Sequence, residues 1–200
     1  MRYAINVGLK IPNTLISNDP KEIINFIDSN NKNNANTVYK IFKPVIWEEE
    51  NKKYNFYTTT IERKALEGDY FLTPGIFQNY VKKAFEVRVT FFGSKYIAIK
   101  INNSETIDWR KIKFSDIRVE QFVLPTEIFF KCQLLMKKLG IIFGCFDFVV
   151  TRDNEFYFLE VNEMGQFLWI DELLPELNLL DTFCNFMIDS QVKPLQPQIA

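Results

Sequence analysis

The feature that most constrains the fold is a pair of apolar, aromatic-rich runs on either side of a short polar segment. The runs are residues 143–151 and 156–161, and Arg152-Asp153-Asn154-Glu155 lies between them. Aromatic and β-branched residues favour strands, and an Asp-Asn pair tolerates the positive φ of a tight turn. The pattern therefore predicts a β-hairpin, with Asp153 and Asn154 as a two-residue loop.

This predicted hairpin brings three oxygen-bearing side chains together. The two-residue loop places Asp147 opposite Glu160, and Asn162 shares their face because strand side chains alternate. Unpaired charges are costly on an apolar ladder, and two carboxylates with a carboxamide suit Mg²⁺, which also keeps waters and phosphate oxygens as ligands. The alternative is that these are ordinary polar residues on the solvated face of an antiparallel sheet.

Composition limits the chemistry that the chain can perform. The sequence has 200 residues, of which 47% are apolar and 24% charged, and this allows one globular domain or two small lobes. The net charge of −1 lacks the broad basic field that drives sequence-independent nucleic-acid binding. The absence of histidine excludes mechanisms that need an imidazole as base or metal ligand.

Two further patterns bear on location and redox state. No window has the length and apolarity of a membrane span, and the N-terminus lacks a signal pattern, so we expect a cytoplasmic protein without a membrane partner. Cys132, Cys145 and Cys184 all lie in apolar runs, which predicts buried thiols and no disulfide framework.

The remaining elements follow from local patterns. Asp19, Pro20 and Glu22 predict a helix start with a capping box. We predict a solvated loop at 48–53, strands at 37–42, 54–61 and 75–81, helices at 126–139 and 179–190, and a tail at 193–200.

A second hairpin is predicted around Gly93-Ser94. Its first strand alternates, with Phe85, Val87, Val89 and Phe91 on a core face. Glu86, Arg88 and Thr90 then share the other face. They are either part of a binding site or a solvated Glu–Arg pair that contributes little energy.

Three segments together resemble one protein family. The sequences D-F-V-V-T at 147–151 and F-L-E-V-N-E-M-G-Q-F-L-W-I at 158–170 resemble the metal-binding hairpin of the ATP-grasp ligases. The G-Q-x-L-W-I part and the D-W-R at 108–110 resemble, more narrowly, the microviridin-type (graspetide) ribosomal-peptide maturases. The resemblance covers nearly the whole chain but only the later part of the family's architecture, so we expect the N-terminal lobe to be missing.

The resemblance implies an α+β ATP-grasp fold, in which two α+β lobes with antiparallel sheets sandwich ATP. The lobes would be residues 1–78, the partial nucleotide-covering lobe, and 79–192, the lobe with the metal-binding hairpin. The family's phosphate-covering loop is often rich in glycine, and no glycine lies between Lys40 and Ile61. Any lid would have to be built from residues 48–57.

The resemblance also assigns roles to individual residues. Asp147, Glu160 and Asn162 would hold Mg²⁺ or Mn²⁺. Lys40 would neutralise the α- and β-phosphates, with Lys43 the weaker candidate. Arg88 and Arg110 would be catalytic, at phosphate or carboxylate oxygens. Further nucleotide contacts would come from Gln78, Asn79, Tyr80, Val81, Lys83 and the ribose-binding Glu86.

Each role has an alternative in which the residue only folds the chain. Lys40 could be a surface lysine of an edge strand, and Arg110 could simply pack beside Trp109.

By resemblance, the chain uses ATP to activate Asp or Glu side chains of a ribosomal precursor peptide as acyl-phosphates, and forms ester or amide cross-links. The partners implied are the precursor peptide and either a second ATP-grasp subunit or a second copy of this chain. One alternative is a truncated, non-catalytic partner or peptide-binding module. Another is a different ATP-grasp ligase, for example one that adds amino-acid tails.

Overall fold

The computed structural model describes residues 1–42, 46–49, 52–66 and 73–189, and the chain is α+β as predicted. The helices are α1 Arg2–Asn6, α2 Pro20–Lys32, α3 Thr126–Leu139, α4 Trp169–Leu173 and α5 Leu179–Ile188. The strands are β1 Thr14–Ser17, β2 Thr37–Lys40, β3 Ile46–Glu49, β4 Lys52–Asn55, β5 Thr59–Ile61, β6 Gly75–Asn79, β7 Phe85–Phe92, β8 Lys95–Ile101, β9 Val119–Gln121, β10 Phe143–Val150 and β11 Phe156–Asn162.

The chain divides into two compact units. The larger comprises Met1–Ile11, Lys83–Ser104 and Ile117–Ala200, and the smaller comprises Pro12–Lys82 and Glu105–Asp116. The predicted linear boundary after residue 78 lies just before Lys83, where the larger unit resumes. Residues 1–11 lie before that boundary but belong to the larger unit, and residues 105–116 lie after it but belong to the smaller unit.

The larger unit is built on a five-stranded antiparallel sheet in the order β11-β10-β7-β8-β9. One face of this sheet is the main core. Val87, Val89 and Phe91 of β7 are buried there against Phe146 and Phe148 of β10, and α1 and α3 contribute Ala4, Cys132, Leu135 and Met136. This confirms the predicted core face of β7, so Glu86, Arg88 and Thr90 lie on the opposite face.

The β10–β11 hairpin has the predicted residue pairs near the site, but its loop differs from the prediction. Asp147 pairs with Glu160 and Cys145 with Asn162, as expected. The two-residue loop is wrong: the Thr151 amide donates to the Glu155 carbonyl at 3.0 Å, and Asn154 alone has a positive φ, of 58°. These contacts close a three-residue loop over 152–154.

A β-bulge compensates for this difference in the loop. Phe148 pairs with Phe158 and Asp147 with Glu160, so Leu159 is an extra residue in β11. Strand residues two apart normally share a face, but the extra residue places Phe158 in the core and Glu160 on the opposite face. The bulge therefore orients the predicted ligand, a use of bulges that is common near functional sites.

The smaller unit has a four-stranded sheet in the order β1-β6-β2-β5. Its core contains Ile23 and Ile27 of α2, together with Leu66 and Phe77. The start of α2 is capped as predicted, with the Asp19 side chain accepting from the Lys21 amide at 2.8 Å. The predicted capping box is wrong, because Glu22 instead accepts the Ser17 hydroxyl at 2.6 Å.

Other predictions need correction. Residues 48–49 and 52–53 of the predicted loop lie instead in β3 and β4, which pair antiparallel, and residues 50–51 lie outside the described residues. The predicted strand at 54–61 is interrupted, because its two ends belong to β4 and β5. The thiol of Cys184 is exposed, whereas those of Cys132 and Cys145 are buried as expected. No helix in the described part of the chain is long and apolar enough to cross a membrane. The predicted tail at 193–200 and Lys43 lie outside the described residues.

Candidate functional site

An ion pair between Arg88 and Asp147 lies at the centre of the polar face of the larger sheet. The two residues are register partners on β7 and β10. The Arg88 Nη1 donates to both Asp147 oxygens, at 3.0 and 3.1 Å, and Nη2 donates to the Gln166 carbonyl at 2.9 Å. The guanidinium side chain is only 8% exposed, against 21% for Asp147. The predicted catalytic arginine is therefore bound directly to a predicted metal ligand.

The surroundings of Arg88 keep it charged. Burial disfavours the guanidinium, but the Asp147 carboxylate and the Cys145 sulfur outweigh this effect and raise the pKa of Arg88 above its ordinary value. Burial also raises the pKa of the Cys145 thiol, whose sulfur lies 3.5 Å from the Thr90 hydroxyl. The Arg88 Nε is buried without a hydrogen-bond partner in the described structure. The Arg88 guanidinium is thus held as a buried cation on this face of the sheet, and its Nε is the donor that lacks an acceptor in the described structure.

The other two predicted metal ligands lie on β11. The Glu160 side chain is exposed. The Asn162 Oδ1 accepts the amides of Met164 at 3.0 Å and Gly165 at 3.2 Å. The Asn162 carboxamide oxygen therefore also holds the turn that follows the strand.

The donor set fits a divalent cation that keeps other ligands. The described residues contain no cluster of three or more His, Cys, Asp or Glu side chains able to hold a metal. The set consists instead of the Asp147 and Glu160 carboxylates with the Asn162 carboxamide. Mg²⁺ commonly uses one or two carboxylates with waters and substrate phosphates, and Asp147, Glu160 and Asn162 are the residues that would hold it here.

A second polar cluster in the larger unit surrounds Glu86. The Lys83 ammonium donates to Glu86 Oε1 at 2.5 Å. The side-chain Nδ2 of Asn103 donates to the same oxygen at 3.1 Å. All three residues are buried, with exposures of 3% for Lys83, 8% for Glu86 and 4% for Asn103. Buried charges are tolerated when they are paired and hydrogen-bonded, so this cluster fixes the Glu86 carboxylate in place.

In the smaller unit, the segment from Gln78 to Val81, which we predicted to contact the nucleotide, is held by its own backbone. The Asn79 amide donates to the Asn13 carbonyl at 3.1 Å, and the Tyr80 amide donates to the Asn36 carbonyl at 2.7 Å. The Asn79 Oδ1 accepts the Asn13 amide at 2.6 Å. The buried Gln78 side chain donates to the Thr14 hydroxyl at 2.9 Å, which makes Gln78 and Asn79 supports of the segment.

The D-W-R sequence forms a compact ion pair. Arg110 donates to the two Asp108 oxygens through Nε and Nη2, both at 2.8 Å, and Asp108 also accepts the Thr58 amide at 3.1 Å. Burial alone would raise the pKa of Asp108, but the hydrogen bonds and charge of Arg110 lower it below the ordinary value. Because the Arg110 side chain is 52% exposed, Asp108 orients an arginine that solvent can reach.

Lys40 lies at the end of β2, where its backbone pairs with Ile76 of β6. Its side chain is half-buried, so it is neither in the core nor fully in solvent. Lys40 is thus a strand lysine, as predicted.

The structure brings five predicted residues onto one face of the larger sheet: Glu86, Arg88, Asp147, Glu160 and Asn162. Three supporting groups were not predicted, namely Asn103, the backbone carbonyl of Gln166 and the Asp108 carboxylate as the partner of Arg110. Only Asp108 left a signal in the sequence, since a carboxylate two residues before an arginine can bind it. The other two depend on contacts between distant parts of the chain.

Comparison with known proteins adds to this geometry. No protein-family model and no curated protein matches the sequence. Among solved structures, a RiPP-associated ATP-grasp ligase from Chryseobacterium gregarium, in complex with ADP and a leader and core peptide, is 25% identical with a TM-score of 0.86. The alignment covers 100% of this chain and 60% of that chain.

Two macrocyclases from Microcystis aeruginosa are also similar. MdnC, solved with its precursor peptide MdnA, is 24% identical with a TM-score of 0.82, covering 94% of this chain and 58% of that chain. MdnB is 26% identical with a TM-score of 0.69, covering 94% of this chain and 57% of that chain. The chain therefore spans about three fifths of the length of the structures that it matches.

Proposed function

Since the chain has the ATP-grasp fold of these ligases, we propose that it is an ATP- and Mg²⁺-dependent ligase that acts on a ribosomal precursor peptide. The observation that carries the proposal is the grouping of Asp147, Glu160 and Asn162 with Arg88 on one polar face of an otherwise apolar hairpin. Phosphoryl transfer needs charge neutralisation and positioning more than a chemical base. A chain without histidine can supply both.

The proposed residue roles follow from this placement. Asp147, Glu160 and Asn162 would hold Mg²⁺, which when bound neutralises the β- and γ-phosphates of ATP. Arg88 would donate to the oxygens of the transferred phosphoryl group. The Glu86 carboxylate, fixed by Lys83 and Asn103, would accept the ribose hydroxyls.

For the smaller unit, we propose Lys40 as the α- and β-phosphate ligand and the Val81 amide as the adenine donor. The amides of Asn79 and Tyr80 already bond to Asn13 and Asn36, which favours Val81 over either of them. Arg110, oriented by Asp108, would bind the γ-phosphate or the substrate carboxylate.

The reaction would proceed in two balanced steps. An Asp or Glu carboxylate oxygen of the peptide attacks the γ-phosphorus, ADP departs, and an acyl-phosphate forms. A Thr or Ser hydroxyl, or a Lys amine, of the same peptide then attacks the carbonyl carbon and phosphate departs with loss of the nucleophile's proton. The product is an ω-ester or ω-amide cross-link, and the peptide loses one water molecule in total.

The test combines the purified chain with ATP, MgCl₂ and a precursor peptide rich in Thr, Asp and Glu, and measures the mass of the peptide. We expect the loss of one water mass per cross-link, and no loss with Glu160→Gln. An unchanged peptide mass, in a preparation that binds nucleotide, would reject the ligase assignment for this chain alone.

The second candidate is a non-catalytic partner or peptide-binding module. One observation favours it: Arg88 and Asn162, which we propose to bind ligands, both make hydrogen bonds within the chain, as structural residues would. Calorimetry with Mg²⁺·ADP separates the two functions. A ligase should bind the nucleotide and lose affinity with Asp147→Asn, whereas a pure protein-binding role predicts no binding with either chain. If nucleotide binds but a peptide carboxylate is joined to a free amino acid, the chain is a different ATP-grasp ligase.

A further inference from the structure

We propose that the turn from Asn162 to Gln166, packed against the Phe143 ring, is a positioning element that sets the geometry of both Arg88 and Asn162. The inference rests on the proposed function, because it concerns residues assigned there to the metal and the phosphoryl group. It assigns a role to Gly165 and Phe143, neither of which has a proposed contact with the nucleotide.

The turn connects the two functional residues through its backbone. At one end, the Asn162 Oδ1 accepts the amides of Met164 and Gly165, at 3.0 and 3.2 Å. At the other end, the Gln166 carbonyl accepts Arg88 Nη2 at 2.9 Å. A shift of this short turn must therefore move the carboxamide oxygen and the guanidinium together.

Gly165 allows the turn to lie against Phe143. A Cβ at this position would be 2.5 Å from both Cε1 and Cζ of the Phe143 ring, a separation that real Cβ atoms do not show. Gly165 also has a φ of +51°, which L side chains rarely adopt. Any side chain here must displace either the turn or the ring.

Contacts with four other phenylalanines, on the polar-face side of the sheet, oppose movement of the Phe143 ring. Its centroid lies 5.3 Å from that of Phe183 and 5.7 Å from those of Phe92 and Phe167. Phe186 completes the cluster, 6.3 Å from Phe143. Phe143 is half-buried, and moving its ring would break its contacts with these four rings, so we expect the turn to move instead.

Displacing the turn has a consequence for the proposed site. If the Gln166 carbonyl leaves, the buried Arg88 guanidinium loses an acceptor while its Nε is already without one. It would then be held by the Asp147 carboxylate and the neighbouring Cys145 sulfur, and Asn162 would lose the amides that orient its oxygen. Groups that orient metal ligands typically influence affinity about 10- to 100-fold.

Gly93 provides a matched control for the backbone strain that a side chain causes at a positive φ. Gly93, in the β7–β8 turn, has a φ of +65°, but a Cβ there would meet only the Phe186 ring at an ordinary 3.6 Å. Gly93→Ala therefore imposes a similar backbone strain without a clash, and Gly93 has no proposed contact with ligand.

The test measures by calorimetry how much Mg²⁺ improves ADP affinity in the parent chain, Gly165→Ala and Gly93→Ala, with folding checked by circular dichroism. The Mg²⁺-dependent gain is the ratio of the ADP affinity measured with Mg²⁺ to that measured without it. We expect this gain to be smaller by about tenfold or more in Gly165→Ala, while the ADP affinity without Mg²⁺ is unchanged. Gly93→Ala should keep the gain. A merely structural role for Gly165 would lower the melting temperature in both variants without this selective loss.

Three outcomes would overturn the proposal. A folded Gly165→Ala chain with the parent's gain overturns the positioning role alone and leaves the proposed function intact. A parent chain that shows no Mg²⁺-dependent gain overturns both. If Gly165→Ala does not fold, Phe143→Leu removes the ring from the other side of the same contact, and an unchanged gain in that variant overturns the positioning role.

Discussion

Arg88 binds both oxygens of the Asp147 carboxylate through a single nitrogen, Nη1, at 3.0 and 3.1 Å. The arginine proposed to reach the phosphoryl group is thus bound to a residue proposed to hold the metal. A carboxylate has about four lone-pair sites, so Asp147 can accept from Arg88 and hold a cation at the same time. The ion pair also supplies the counter-charge of a buried guanidinium.

Asp147→Asn should lower stability as well as metal affinity. Removing the carboxylate leaves the guanidinium of Arg88, 8% exposed, without its counter-charge. Loss of one partner of a buried ion pair costs about 3 kcal/mol. Urea unfolding at neutral pH measures the change, and a difference below about 0.5 kcal/mol, the range of ordinary surface substitutions, would contradict the account.

Glu160→Gln should lower metal affinity, as Asp147→Asn does, but without lowering the stability of the fold. The Glu160 side chain is exposed, so the free energy of unfolding should change by less than about 0.5 kcal/mol. The Mg²⁺-dependent affinity for ADP should nevertheless fall, because a carboxylate ligand is replaced by a neutral amide. Parallel urea titration and calorimetry test the two statements, and a large loss of stability would place Glu160 in a folding role instead.

The Glu86 cluster should depend much more on Glu86 than on Asn103. Glu86→Ala removes the carboxylate that pairs with the buried Lys83 ammonium, and we expect a loss of about 3 kcal/mol or more. Asn103→Ala removes one hydrogen bond and should cost about 1 kcal/mol. Equal losses for the two variants in urea unfolding would show that the Lys83 charge is not held by Glu86.

Asp108 should contribute stability that depends on pH. Its folded-state pKa lies below the ordinary value because the hydrogen bonds and charge of Arg110 outweigh burial. A depressed carboxyl pKa stabilises the fold above the unfolded-state value, about 3.9, and this contribution is lost as the pH falls through the folded-state value. The difference in unfolding free energy between the parent and Asp108→Asn should therefore be constant near neutrality and smaller at about pH 3. An equally large difference at both pH values would contradict this origin.

The three cysteines should differ in thiol reactivity. Burial raises the pKa of Cys132 and of Cys145, and neither thiol is exposed, whereas Cys184 is exposed. Only the thiolate reacts readily, so an aromatic disulfide reagent should label Cys184 rapidly in the native chain and the other two only after unfolding. Peptide mapping identifies the labelled residue, and rapid native labelling of Cys145 would contradict its placement beside Arg88.

The hairpin shows how much local pattern can predict. Alternation of apolar and polar residues was sufficient to separate Arg88 from the core face of β7, whereas the pairing of Asp147 with Glu160 was predicted from the length of the loop. The loop was wrong by one residue, and the bulge at Leu159 restored the pairing. Neither feature was predictable, because a bulge has no strong signature when all neighbouring residues favour strands.

The supporting contacts of the site were beyond sequence reasoning for a different reason. The Gln166 carbonyl is a backbone group that every residue carries, and Asn103 follows an asparagine with an identical side chain. Their roles arise because the fold brings them to Arg88 and Glu86 across long sequence separations. Gly165 illustrates the same point, since its need to be glycine is set by the Phe143 ring.

The proposed ligase function requires that Asp147, Glu160 and Asn162 together hold a divalent ion beside a nucleotide. Titration of Mn²⁺ into the ADP-saturated chain, followed by the electron paramagnetic resonance signal of free Mn²⁺, measures this binding. We predict that the parent chain depletes the free signal and that Asp147→Asn and Glu160→Gln each weaken Mn²⁺ binding by about tenfold or more. Binding of Mn²⁺ by both folded variants with the affinity of the parent would contradict the account.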